Sequence, residues 1–133
     1  IAHELRRVTR RGGKVVCVEC DWETATVHPG DRALTRRILQ ASTDRHLDGW
    51  MGRKLAPLLR ASGLRDVAVE PIVACETDAG AWLDFLRDRP AIALEAGAIT
   101  EEEGASWIGS IEAAAGTGGY FFSVTQFAAV GTV

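Results

Sequence analysis

The short run from Lys14 to Glu19 (KVVCVE) constrains the fold of this chain more than any other segment. It is nearly continuous in apolar residues and rich in β-branched valine. Such a run is typical of a strand that is covered on both faces, as in a parallel sheet with helices on each side. The sequence therefore predicts an α/β layer structure in which this first strand is central.

The rest of the chain predicts helices and two further strands. Pro71 lies inside the second strand and favours an edge position or a bulge there, because proline cannot donate a hydrogen bond to a neighbouring strand. The predicted strands are 14–20, 67–75 and 120–130, and the predicted helices are 1–11, a helix capped by Asp31, 50–62, a helix capped by Asp78, and a helix opened by the capping box Thr100–Glu103. Three strands make a small sheet, so the chain is predicted to be part of a larger domain.

Composition excludes several classes of protein. The chain has 133 residues, 47% hydrophobic and 25% charged, which is the balance of a globular domain rather than of a disordered segment. Its formal charge of −3 gives no basic surface for nucleic acid, and the arginines at 6, 7, 10 and 11 are interpreted as a solvated face. No apolar run approaches the ~20 residues that span a bilayer. No signal peptide is visible, which predicts a cytoplasmic protein.

Three segments resemble class I S-adenosylmethionine-dependent methyltransferases. The stretch ELRRVTRRGGKVV (4–16) is similar to the R-x-L-x-P-G-G-x-L/V signature of that family, with Arg11 in place of the usual proline. Asp21-Trp22 resembles a subgroup related to ubiquinone and menaquinone biosynthesis enzymes. The segment LRASGLRDV (59–67) is similar to that subgroup's L-x-x-A-G-F/L-x-D-V ending, which precedes the sixth strand.

The resemblance implies a fold and an activity. Residues 1–133 would form the C-terminal portion of a Rossmann-like, seven-stranded methyltransferase domain. They would supply its last three strands, with the final strand antiparallel between the other two, and residues 77–118 would form a helical insertion that acts as a substrate lid. The implied function is methyl transfer to a small-molecule acceptor. The S-adenosylmethionine site would lie mostly outside this chain, because the family's Gly-rich turn and ribose-binding carboxylate have no counterpart here.

Candidate site residues follow the first predicted strand, because ligands of α/β sheets bind at the carboxyl ends of strands. Cys20 lies at this edge. Asp21 could orient a substrate hydroxyl or act as a base, or it could be a solvated loop carboxylate or a helix cap. Trp22 could form a wall of the substrate site or simply pack between loop and core.

Three further residues are candidates on chemical grounds. His28 could be a general base, since its ordinary pKa of about 6.5 suits that role; the alternative is an exposed turn residue. Trp50 and Arg53 lie one helical turn apart and could face the site together. Arg53 would then bind an anionic group of the substrate, or else form a surface salt bridge.

The Cys17-x-x-Cys20 pair is not expected to bind a metal. Residues three apart on a strand point to opposite faces, so the two sulfur atoms cannot converge on one ion. The thiols are therefore predicted to be reduced and without metal.

A non-enzymatic function is the alternative to methyl transfer. In that hypothesis the chain is an α/β interaction or dimerisation module derived from the same fold. An uncovered strand edge would favour association of two copies of the chain. A homo-oligomer is therefore possible under either hypothesis.

Overall fold

The computed structural model describes residues 1–45 and 48–133. Its helices and strands are, in chain order, α1 (Ala2–Val8), β1 (Lys14–His28), α2 (Arg32–Arg45), α3 (Met51–Ala61), β2 (Arg65–Glu76), α4 (Ala81–Arg87), α5 (Arg89–Glu95), α6 (Glu101–Ala115) and β3 (Phe121–Thr132). None of the helices in this part of the chain has the length and apolarity needed to cross a membrane.

The three strands form one antiparallel sheet in the order β1-β3-β2. The α/β class is thereby confirmed, and so is the predicted position of the last strand between the other two. The strand that contains Pro71 lies at an edge, as the missing amide proton requires.

The interpretation of β1 as a central strand buried on both faces is wrong for this chain. Within the described residues β1 is an edge strand, and Val16 and Val18 are 61% and 52% exposed. The predicted polar loop after Cys20 is wrong as well, because β1 continues to His28. Alternation explains the difference: Val15 is buried while the valines on either side of Cys17 are exposed, so only one face of this part of β1 is covered.

The described residues divide into two compact units. The first comprises residues 1–21, 50–73 and 125–133, and the second comprises residues 22–45, 48–49 and 74–124. In the first unit, leucines on one side of α3 pack with residues of the strands. The buried members of this core are Val15, Leu55, Leu59, Leu64 and Ala129.

Gly52 sets how closely α3 approaches β1. A Cβ atom at this position would lie 3.0 Å from three backbone atoms of β1, in Glu19, Cys20 and Asp21. Backbone atoms of a paired strand cannot move aside as a flexible side chain can, so only glycine fits without displacing the helix.

Two matched glycine substitutions test this packing. We expect Gly52→Ala to lower the free energy of unfolding by about 1–3 kcal/mol through overpacking. Gly109→Ala should raise it by about 0.5–1 kcal/mol, because Gly109 lies within α6, where an added Cβ has no neighbour within 4 Å. Urea unfolding followed by circular dichroism measures both. A higher free energy of unfolding in Gly52→Ala would show that α3 can move away from β1 without loss of stability.

In the second unit, α2 packs against α5 and α6, and α5 also contacts α4. Two predicted caps are confirmed. Asp31 accepts a hydrogen bond from the backbone N–H of Leu34 at 2.7 Å, and Thr100 with Glu103 forms a complete capping box. The buried side chains of this unit include Ile38, Leu86, Trp107, Ile111, Phe122 and Val124.

One expectation for this unit is wrong. Asp78 was predicted to cap a helix, but α4 begins at Ala81, and the N–H groups of Trp82 and Leu83 in its first turn donate to the Glu76 carboxylate. At the start of the final strand, Phe121 is 37% exposed while Phe122 is fully buried. Successive residues of a strand point to opposite faces, so only one of the pair can face the core.

Candidate functional site

A pocket of the second unit has a volume of about 820 Å³. Volumes of this size are typical of sites for small organic ligands. Residues of β1, of α2 and of the segment after α5 form its walls. The lining residues include Trp22, Ala25, Arg36, Leu39, Gln40, Ala41 and Ala98.

Trp22 is held rigidly at this pocket. Its ring stacks on Phe85 with centroids 4.9 Å apart and planes 13° from parallel. The ring of Trp82 is T-shaped to it, with centroids 6.3 Å apart. The backbone N–H of Trp22 donates to the carbonyl of Gly49 at 3.0 Å. Trp22 thus packs against α4 and also lines the pocket, and its role as a wall of a substrate site stays a prediction.

The polar groups of the pocket differ in how they are engaged. Arg37 donates to the Ala98 carbonyl at 2.9 Å and to Glu103 at 2.5 Å, and this contact holds the pKa of Glu103 below its ordinary value. Gln40 donates to Asp44 at 3.0 Å. The side chain of Arg36 has no hydrogen bond or ion pair with any of the residues that the structure describes. Arg36 is thus the basic group of the wall available to a ligand.

In the first unit, Asp21 forms a bidentate ion pair with Arg53. Nε of Arg53 donates to Oδ2 of Asp21, and Nη2 donates to Oδ1 at 2.6 Å. Asp21 is 1% exposed, whereas the Arg53 side chain is 42% exposed. Asp21 is neither solvated nor in a loop, and both of its oxygens accept from the guanidinium, which is a geometry that orients Arg53.

Trp50 and Arg53 lie together, as their spacing predicts. The Arg53 guanidinium lies 4.8 Å from the Trp50 ring centroid, and the Lys54 ammonium lies 5.9 Å from it. Trp50 remains 45% exposed. Arg53 is therefore fixed on one side by a carboxylate and on the other by an aromatic ring.

Cys20 is a buried thiol of the first unit. Burial raises its pKa, and a hydrogen bond from Gln126 to its sulfur at 3.6 Å partly offsets that effect. Cys17 packs against the Leu55–Leu59 core instead. Among the described residues, no group of acidic, histidine and cysteine side chains could hold a metal ion.

His28 is exposed at the end of β1 and does not line the pocket. Asp21 belongs to the first unit and His28 to the second.

A buried tyrosine–carboxylate contact joins β2 to the start of β3. The Tyr120 hydroxyl is almost fully buried and donates to Oε1 of Glu76 at 3.2 Å. Burial, with the negative charge of Glu76, raises the pKa of Tyr120 well above its ordinary value of 10.0.

This contact predicts a loss of stability at alkaline pH. Folded Tyr120 holds its proton more tightly than the unfolded chain does, so its contribution is complete below pH 10 and is lost as the pH rises above that value. The free energy of unfolding should therefore fall more steeply from about pH 8 to about pH 11 in the native chain than in Tyr120→Phe. Urea unfolding at the two pH values measures this. Equal slopes would mean that Tyr120 ionises alike in both states.

Sequence reasoning missed most of the pocket. Arg36 and Gln40, one turn apart on α2, were not singled out. Their i, i+4 spacing signals a shared helix face. The opposing wall at Ala96 and Ala98 follows a short helix and carries no sequence signal of its own.

Comparison with known proteins gives a relative of the chain but no family. No protein-family model matches the chain. The chain is similar to an uncharacterized 37.1 kDa protein in transposon TN4556 of Streptomyces fradiae, with 31% identity over 130 residues. That alignment covers 96% of this chain and 36% of the relative, so the chain spans about a third of the length of the curated relative it matches.

Proposed function

We propose that this chain forms the acceptor side of an S-adenosylmethionine-dependent methyltransferase that acts on a small molecule. The strand order carries the proposal. A last strand that runs antiparallel between two others, with helices inserted before it, is the arrangement implied by the sequence resemblance over residues 4–130.

The described residues do not fit a complete cofactor site. Loops that hold nucleotide-type ligands connect a strand to a helix and are rich in glycine. The described strand-to-helix connections, 29–31 and 77–80, contain one glycine each, and the Gly116–Gly119 stretch connects a helix to a strand. The proposal therefore assigns cofactor binding to a part of the protein other than these residues.

We therefore expect no tight binding of S-adenosylmethionine or its demethylated product to the 133-residue chain alone. Isothermal titration calorimetry with each compound tests this. Micromolar affinity would contradict the assignment and would require a cofactor site that the described residues do not suggest.

The pocket of the second unit is the proposed acceptor site. Its wall combines the Trp22 ring and small apolar side chains with polar and charged residues of both signs, among them Glu23 and Asp44, which suits a planar compound that carries polar groups. Arg36 suits a carboxylate or phenolate on that compound, because a guanidinium recognises such groups by charge-assisted hydrogen bonds. Catalysis of methyl transfer depends mainly on holding the acceptor in line with the donor, so a rigid aromatic wall is a useful part of such a site.

The other predicted residues take more limited roles. Asp21 is proposed as a positioning residue for Arg53, and Cys20 as a packing residue. Arg53 with Trp50 remains a proposed contact for an anionic substrate group. His28 remains a proposed base only if another segment brings a substrate to the end of β1.

A pocket-filling pair of variants tests the proposed function. Full-length protein would be incubated with methyl-labelled S-adenosylmethionine and a panel of small aromatic acids. Label transfer should be lost in Ala41→Phe, which fills the pocket, and retained in Ala105→Phe, an exposed position of α6 outside it. Equal transfer in both variants would remove the pocket from the proposal, and no transfer by the native protein would remove the methyltransferase assignment.

A dimerisation module is the second candidate function. Exposed Val16 and Val18 on the edge strand β1 favour it, because an apolar edge strand can pair with the same strand of a second copy. Light scattering should then detect a dimer that the double variant Val16→Glu/Val18→Glu abolishes. Val73→Glu, on the other edge strand, serves as the control. A monodisperse monomer would exclude this candidate.

A further inference from the structure

Three arginines that are distant in sequence line one pocket of the first unit. Arg6 comes from α1, Arg11 from the turn after it, and Arg65 from the start of β2. The pocket has a volume of about 430 Å³, and Gly63 and Val133 complete its wall. Sequence spacing alone suggested a solvated arginine face on one helix, whereas the fold adds Arg65 from a different part of the chain.

The positions of these side chains follow from local structure. Gly63 ends α3 with a φ of +84°, a conformation that favours glycine, and Arg65 follows two residues later. A Cβ atom on Gly63 would lie 3.0 Å from Nη1 of Arg6, so the missing side chain makes room for that guanidinium. Hydrogen bonds of 2.9 and 3.0 Å between Val133 and the Gly12–Gly13 turn fix the segment beside Arg11.

The charges of this pocket are not neutralised within the described part of the chain. Within the described residues, no hydrogen bond or ion pair engages the side chains of Arg6, Arg11 and Arg65. Arg7, in contrast, donates to both oxygens of Glu4. The carbonyl end of α3 carries only about half of a negative charge, which offsets a small part of three positive charges. In the 133-residue chain the α-carboxylate of Val133, which also lines the pocket, offsets one of the three positive charges. The pocket keeps a net positive charge, which is suited to an anion.

We propose that this pocket binds the phosphate group of a small phosphorylated ligand. Guanidinium groups match the oxygen geometry of phosphate and bind it through pairs of parallel hydrogen bonds. Three such groups from three segments surround a tetrahedral dianion better than they surround a planar carboxylate. The site lies in the first unit and is independent of the proposed methyl-acceptor pocket, which lies in the second.

Calorimetric titration of the 133-residue chain with inorganic phosphate and with pyrophosphate at low ionic strength tests the proposal. We expect saturable binding of both anions in the millimolar range or tighter. Arg6→Gln and Arg65→Gln should each weaken it by about tenfold, the factor that corresponds to the loss of one charge-assisted contact. Arg6→Lys should bind with intermediate affinity, since it keeps the charge and loses the bidentate geometry.

Arg10→Gln is the matched control. Arg10 belongs to the same basic segment but does not line the pocket, so this variant changes the net charge equally and should bind phosphate within about twofold of the native chain. Circular dichroism would show that each variant is folded. Non-saturable binding, or equal weakening in Arg10→Gln and Arg6→Gln, would overturn the proposal in favour of general electrostatic attraction.

Discussion

Replacing Phe122 with alanine is expected to lower the free energy of unfolding by about 3–5 kcal/mol. Phe122 lies on the central strand β3, is fully buried, and stacks on Trp82 with centroids 4.9 Å apart. Phe85, the residue on which Trp22 stacks, lies 6.3 Å from it. Removing the ring would leave a cavity that aromatic neighbours cannot fill without leaving their own contacts.

The adjacent residue supplies the control for this prediction. Phe121→Ala removes the same number of atoms from a partly exposed position on the opposite side of β3, and we expect a loss below about 1 kcal/mol. Urea unfolding followed by circular dichroism compares the two variants. Similar losses would mean that the face of Phe121 is also covered in solution, which would itself favour association through the sheet.

Replacing Arg53 with alanine is expected to cost about 2–4 kcal/mol, because the almost fully buried carboxylate of Asp21 loses both hydrogen bonds to the guanidinium. Asp21→Asn should cost less, about 1 kcal/mol, since the half-exposed Arg53 that it leaves behind can be hydrated. Arg53→Lys should fall between them, because one ammonium cannot replace a bidentate contact.

The order of these three losses is the test, and it is measured by urea unfolding at neutral pH. A larger loss of unfolding free energy in Asp21→Asn than in Arg53→Ala would contradict this order. It would show that Arg53 without its partner destabilises the fold more than Asp21 without its partner does. If the proposed function is correct, Arg53→Lys should also raise KM for an anionic acceptor in the full-length protein more than it lowers kcat.

The strands were predictable to a useful degree. Segments rich in β-branched and aromatic residues located all three strands, and Pro71 correctly indicated an edge. The extension of β1 to His28 was not predictable, because the polar residues after Cys20 lack an apolar run. Those residues are strand because β1 pairs along the sheet, which is a tertiary effect that overrides local preference.

The candidate site was only partly predictable. The one-turn spacing of Trp50 and Arg53 correctly indicated their contact, since helix geometry depends only on local sequence. The pairing of Asp21 with Arg53 joins residues 32 positions apart. No local pattern distinguishes that pairing from a solvated carboxylate, because burial of Asp21 depends on how α3 docks.

The sequence by itself determined the helix caps at Asp31 and Thr100, the end of α3 at Gly63 and the opposite directions of neighbouring strand residues. These features follow from backbone geometry and hydrogen bonds over a few residues. Only the tertiary structure decided that α2 and the segment after α5 enclose a pocket beside Trp22, and that Arg65 joins Arg6 and Arg11. The physical reason is that such contacts join segments far apart in the chain, and their geometry is set by packing of the core.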